Sequence, residues 1–290
     1  MAGVILLLPA FHLSAQPVDN PKDPFSFIGG AEVFVHTDLK MALKDPERVY
    51  KLDLTGQVFE PKQLAKVPKL VNVQAIRLGE NGFKTLPAVF TGLPSLIYFS
   101  SKNNALDSLP RDFSLLRELR YVELVGTDFD TFPKPLTFLG RLKSLQIQNN
   151  KADTMHMISD IRFFAASLEE LIMYKTKIDT LPKSFGDLKK LKTCYMIDCG
   201  ITSLPATIGN LTALETLVLD NNGLTALPKE IGRMKNLGYL SLQNNKLTQV
   251  DERICFLQNL AILDLRGNSI SDYDAAVLKV LLPGCTIYYK

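Results

Sequence analysis

Chemistry that moves protons, electrons or metal ions needs reactive side chains held close together, and in this chain such side chains are few and scattered. The three histidines are His12, His36 and His156, and no two of them share a local motif that would make a metal site or pair a base with a nucleophile. The four cysteines, Cys194, Cys199, Cys255 and Cys285, form no C-x-x-C pair and have no histidine nearby, so a zinc site is not expected. Buried free thiols are the expected state, with a Cys255–Cys285 bridge as the alternative in an oxidising compartment. Adjacent carboxylates at Glu169-Glu170 and Asp251-Glu252 read as solvated surface pairs, not acid–base dyads. The phosphate cradles GxxxxGKS/T and GxGxxG are absent, as are GxSxG and HExxH. No catalytic residue, metal or cofactor is therefore expected. The chemistry left is recognition, and its best carriers are tyrosines, which join a large rigid contact surface to a hydroxyl.

Composition narrows the partner. Hydrophobic residues make up 46% of the 290 and charged residues 22%, so the chain can bury a large core and is neither disordered nor a membrane bundle. The formal net charge of +3 is too small to imply nucleic acid, and tryptophan is absent. An apolar run from Val4 to Leu8, extended by Pro9-Ala10-Phe11, leads to Leu13-Ser14-Ala15. It is too short to span a bilayer and fits a signal peptide cleaved after Ala15, although no Lys or Arg precedes it. Residues 1–15 are thus read as a signal peptide and 16–48 as a leader and N-terminal cap. The resulting localisation is secreted or periplasmic, in the cell envelope; the alternative is cytoplasmic. No second apolar stretch is long enough to be a transmembrane segment.

The elements that must position any site come from an internal repeat. The frame LxxLxLxxNxL begins at Val49, Val73, Leu96, Leu119, Leu142, Leu168, Leu191, Leu214, Leu237 and Leu260. Slots 1, 4, 6 and 11 are apolar in every block except at Ser101, whereas composition alone would fill about 18 of those forty positions. Slots 4 and 6 are two residues apart, so both side chains leave the same face of a short strand. One strand cannot shield that face, but stacked coils can, each strand lying about 4.8 Å from the next in a continuous parallel sheet. Slot 9 holds Asn81, Asn104, Asn150, Asn222, Asn245 and Asn268, expected to turn inward as a structural ladder that satisfies backbone groups at the bend. The return opens with Leu-Pro at Leu86-Pro87, Leu109-Pro110, Leu181-Pro182, Leu204-Pro205 and Leu227-Pro228, with Phe132-Pro133 as a variant. Proline fixes the turn across the convex side, which descends through a short helix or 3₁₀ turn. One return, between Ala152 and Leu168, is three residues longer, and Asp160 to Ala166 is expected to form a fuller helix.

These blocks resemble the leucine-rich-repeat superfamily over roughly residues 49 to 270. The 23-residue form containing Leu204-Pro205-Ala206-Thr207-Ile208-Gly209-Asn210-Leu211 is similar to the Ras-group class. The resemblance implies an α/β leucine-rich-repeat solenoid of about ten repeats, with a curved parallel sheet on the concave side and short helices or 3₁₀ turns on the convex side. It implies a binding mode and leaves the ligand open. A front cap is expected from a helix carrying Leu39, Ala42 and Leu43, capped by Thr37 or Asp38, with Phe25, Phe27, Val33 and Val35 beside it. Residues 271–290 are read as the C-terminal cap, a helix from Ser271 or Asp272 to about Leu282 and then an edge strand. Both ends are similar to those of exported bacterial repeat proteins.

Slots 3, 5 and 7 must point out of the concave face. They place Ile172, Tyr195 and Val218 in a row with Tyr174 and Ile197 beside it, and make a smaller patch of Tyr98 and Tyr121 flanked by Glu123. Contiguous apolar surface of this kind marks an interaction site. The expected function is non-enzymatic recognition of a protein or peptide ligand by a monomer. The alternatives are an intracellular scaffold and a cell-surface glycan binder or adhesin.

Overall fold

The structure, a computed structural model, describes residues 23–28, 33–149, 161–178 and 180–290. The expected signal peptide at 1–15, the leader up to residue 22, Asn150 and His156 lie outside the described residues. Each framed block contributes one short strand: β2 (Lys51–Asp53), β3 (Ala75–Gly79), β4 (Tyr98–Lys102), β5 (Tyr121–Thr127), β6 (Ser144–Asn149), β7 (Glu170–Tyr174), β8 (Thr193–Ile197), β9 (Thr216–Val218), β10 (Tyr239–Ser241) and β11 (Ile262–Asp264). A strand at either end, β1 (Val35–His36) and β12 (Thr286–Tyr288), extends the sheet to twelve. The strands follow chain order, and every neighbouring pair is parallel.

Register follows the repeat. Slot-4 residues stack as Leu52, Ile76, Phe99, Val122 and Leu145, then Leu171, Cys194, Leu217, Leu240 and Leu263. All are buried and belong to one continuous core. The single polar slot-6 residue, Ser101, is also buried, and its hydroxyl accepts a hydrogen bond from Asn104 Nδ2 at 3.0 Å. The register slips once. Val125 pairs with Gln148 but Thr127 pairs with Asn149, with Gly126 between them at φ 71°.

The returns are 3₁₀ helices, among them Ala88–Gly92, Arg111–Leu115, Lys134–Phe138, Lys183–Asp187, Ala206–Asn210, Lys229–Arg233 and Glu252–Phe256. Proline stands at the N-cap of the first six, with the extended ψ that proline favours. The described part of the long return is a 3₁₀ helix, Ile161–Phe164, and not the fuller helix expected there. Glycine follows the buried apolar residue of the return at Gly186, Gly209 and Gly232. A Cβ at these positions would collide with the carbonyl oxygens of Thr207, Glu230 and Arg253 on the next return. In earlier returns the same slot holds Thr91, Ser114 and Thr137, whose hydroxyls donate back to the carbonyls of Ala88, Arg111 and Lys134.

Both ends are closed. A short front helix, α2 (Leu39–Ala42), is capped by Asp38, which accepts from Met41 N–H at 2.9 Å. Gln57 Oε1 accepts from Leu39 N–H at 3.1 Å and ties this helix to the first coil. The rear helix α3 (Asp272–Leu281) starts at Ser271, whose hydroxyl accepts from Asp274 N–H at 3.0 Å. Its buried Ala275 and Leu278 cover the last coil, and β12 pairs with β11. The N-terminal helix α1 (Pro24–Phe27) does not join the front cap as expected; it crosses to the concave face.

Candidate functional site

The concave face divides into a covered front and an open middle. At the front, Phe25 lies edge-on to Tyr98 at 5.7 Å between ring centroids, and Phe27 lies edge-on to Tyr121 at 6.2 Å. The Arg77 guanidinium stacks 4.0 Å from the Phe25 ring centroid and is ion-paired with Asp23 and, at 3.5 Å, with Asp53. Lys51 Nζ donates to the carbonyl of Ser26 at 3.1 Å. This corrects the smaller patch. Tyr98 leaves the concave face as its slot requires, but it is 0% exposed beneath Phe25, so it offers no surface to a ligand. Its hydroxyl donates to Glu123 at 2.8 Å, and Glu123 is also paired with Lys102 at 3.2 Å. Burial first, and then the negative charge of Glu123, push the Tyr98 phenol well above its ordinary value.

Replacing Phe25 with alanine is expected to uncover Tyr98. Burial then no longer holds the phenol protonated, and in an NMR titration of its ring resonances Tyr98 should lose its proton at a lower pH than in the parent, while still above an isolated tyrosine because Glu123 faces the hydroxyl. A titration unchanged from the parent in that variant would mean that the N-terminal segment is not what covers it.

In the middle of the face the predicted row is assembled. Ile172 pairs with Tyr195 and Tyr195 with Val218, while Tyr174 pairs with Ile197. Ile172, Tyr174, Tyr195 and Ile197 are partly exposed, and Val218 is buried at 4% exposure as the floor between its neighbours. Lys175 Nζ sits 5.3 Å from the Tyr174 ring centroid at the rim. Burial, then the nearby carboxylate of Glu170, raise the Tyr195 phenol.

Beneath the face, the asparagines bond to backbone. Asn222 Oδ1 accepts from Cys199 N–H at 3.1 Å and Ile201 N–H at 3.0 Å, and its Nδ2 donates to the carbonyls of Met196 and Leu219 at 2.7 and 2.9 Å. Asn245 and Asn268 accept from Leu224 and Leu247 N–H, and Asn104 accepts from Asn81 N–H. Asn81 Nδ2 donates to the carbonyls of Leu54 and Gln57. In the repeat after the slip, Asn149 does this work, accepting from Phe129 N–H at 2.9 Å and donating to the Phe129 carbonyl at 2.8 Å. One parallel strand per coil, a polar ladder at the bend and a proline-capped 3₁₀ return together define the architecture.

A family model described as "Leucine rich repeat" matches residues 212–270. The chain is a leucine-rich-repeat solenoid. Solved structures agree at the level of fold. The chain is similar to an internalin from Listeria monocytogenes, with 18% identity over 84% of this chain and 76% of that one and a TM-score of 0.64. It is also similar to TLR13 from a complex with ssRNA13, at 23% identity, 90% coverage of this chain and a TM-score of 0.70. The third is a Drosophila Toll–Spätzle complex, at 21% identity, 86% coverage and a TM-score of 0.64. The solenoid spans only 39% and 41% of the lengths of those last two chains. No curated protein sequence matches it.

Among the described residues of this leucine-rich-repeat solenoid, no group of three or more His, Cys, Asp or Glu side chains could hold a metal ion, and no helix is long and apolar enough to cross a membrane. Cys194 and Cys199 are buried, and all four cysteines are unbridged, so the Cys255–Cys285 alternative is not what the structure contains. Burial pushes the Cys199 thiol up to about 12, which makes it a packing group and a poor nucleophile. Sequence reasoning missed the contribution of Asp23, Phe25 and Ser26 to the concave face. No periodicity marks them, and the contacts they make lie 25 to 73 residues away along the chain, from Lys51 to Tyr98.

Proposed function

We propose that this solenoid is a non-enzymatic recognition module that binds a protein or peptide across β7 to β9 of its concave face. The observation that carries the reading is the row Ile172, Tyr195 and Val218, with Tyr174 and Ile197 alongside, on a sheet face whose front is already covered by the chain itself. Apolar and aromatic groups gathered on one open face supply the central anchors that dominate binding energy. Tyr121 and Glu123 border the covered front and form the edge of the same footprint. Protein recognition is also what the Toll–Spätzle structure represents for a solenoid of this fold. The TLR13 complex contains RNA, but here the row is flanked by the carboxylates of Glu170 and Asp220, a poor setting for phosphate. The apolar run at residues 4–8 supports export to a secreted or periplasmic location; a cytoplasmic scaffold is the alternative.

The test is a double variant, Tyr174→Ala with Tyr195→Ala. Losing even one central aromatic anchor costs about 2 kcal/mol, or roughly 30-fold in affinity. A photo-crosslinker at position 172 should capture a partner from envelope extract, and the double variant should reduce that yield at least as far while circular dichroism stays native. Unchanged capture by a folded double variant rules the site out.

A further inference from the structure

The outward slots of the concave face carry five carboxylates among the described residues: Asp53, Glu123, Glu170, Asp220 and Asp264. Three are ion-paired: Asp53 with Arg77, Glu123 with Lys102, and Asp264 with Arg266 through two nitrogens of the guanidinium. The other two have hydrogen bonds but, among the described residues, no cation within 4.0 Å. Glu170 accepts from the Ser144 hydroxyl. Asp220 Oδ1 accepts from the Ser241 hydroxyl at 2.6 Å and from Gln243 N–H at 2.9 Å. Arg266, the cation that most influences Asp220 electrostatically, is already engaged by Asp264.

The two carboxylates without a cation are the two that bracket the apolar row. Glu170 is in slot 3 of β7, before Ile172 and beside the Tyr195 strand. Asp220 is in slot 7 of the β9 coil, two residues after Val218. Their separation follows from sheet geometry. Two strand spacings across and four residues along make a diagonal of about 16 Å, or about five residues of extended chain. Elsewhere on the face each outward acid has a counter-ion; at the open patch no counter-ion stands among the described residues.

We infer that the partner of this face is an extended peptide segment with an apolar centre and a basic residue at each end, about five positions apart, its cations completing Glu170 and Asp220. This rests on the concave-face reading above and adds the charge of the ligand. The occupant supplies the attraction that Asp220 lacks. Burial raises the Asp220 carboxyl above its ordinary value, so its charged form is destabilising in the unliganded protein. A carboxyl raised in the fold lowers stability once pH climbs above about 4 and has no effect where it is protonated in both states. Asp220→Asn should therefore raise the unfolding midpoint at pH 7 and match the parent at pH 3. Functional carboxylates kept at such a cost are common in binding sites.

The decisive experiment uses the full chain and three synthetic peptides, Lys-Val-Phe-Ser-Val-Lys, its glutamate-ended counterpart and a lysine-ended version with a glycine-serine centre. Binding is read by fluorescence anisotropy at low and high salt. The expected result is at least a tenfold preference for the first peptide, weakened by salt. Glu170→Gln with Asp220→Asn should erase the preference, and Glu170→Lys with Asp220→Lys should move it to the glutamate-ended peptide. Both apolar-centred peptides binding equally, with loss in the Tyr174/Tyr195 double variant, would overturn the charge inference and leave the site standing. Binding of the first peptide that survives the double variant overturns the site as well. No binding by any of the three overturns the charge inference, while the crosslinking experiment still decides the site.

Discussion

Asn222→Ala is expected to lower the unfolding free energy by about 3 kcal/mol, because it takes the side-chain partner from two buried N–H groups and from the Met196 carbonyl, while the Leu219 carbonyl keeps its bond from Asn245 Nδ2. Its Oδ1 serves Cys199 and Ile201, and its Nδ2 serves Met196 and Leu219, so one side chain joins its own coil to the one before it. The flanking coils contain Cys199 and Asn245 at the same slot. Cys199 donates its thiol to the Ile197 carbonyl at 3.4 Å and the Met173 carbonyl at 3.5 Å, weaker bonds than those of the Asn222 amide. Urea titration followed by circular dichroism should show the loss as a lower midpoint. Asn236→Ala is the control. Asn236 is exposed and donates once, to Thr212, and its removal should change stability by no more than about 0.5 kcal/mol. Equal effects from the two substitutions would mean that the inward asparagines do not hold the coils together.

Gly209→Ala should cost about 3 kcal/mol by overpacking. A methyl at this position meets the carbonyl oxygen of Glu230, and the obstacle is backbone, so no side chain can swing aside. Its φ is not in the left-handed region, which leaves steric conflict as the whole cause. Gly223→Ala separates this from a general intolerance of alanine. There the nearest atom is Thr202 Cγ2 at 3.2 Å, and a side chain can give way. Thermal unfolding should place Gly209→Ala well below Gly223→Ala. Indistinguishable midpoints would show that the returns can part without penalty.

What could be read in advance was what repeats. Alternation within each block makes one side of a strand apolar, so slots 4 and 6, from Leu52 and Leu54 to Leu263 and Leu265, had to be core, and the neighbours of Tyr195 followed from the 23-residue step. What could not be read depends on single events. Gly126 lets β5 and β6 slip by one position, which hands the ladder contact to Asn149. Phe25 reaches Tyr98 by a path that no period encodes, and it turns half of the smaller patch into interior. The charge balance of the face was also hidden, because five outward acids look alike until the positions of Arg77, Lys102 and Arg266 distinguish the paired from the unpaired.

The glycines of the later returns set the shape of the trough. A stacked coil bends when its outer spacing exceeds its inner spacing, and the inner spacing is fixed by backbone pairing at about 4.8 Å. Where Gly186, Gly209 and Gly232 let backbone approach backbone, the outer side can draw in, and such a contact favours a gentler bend than a return with a Cβ in that slot, as at Thr91, Ser114 and Thr137.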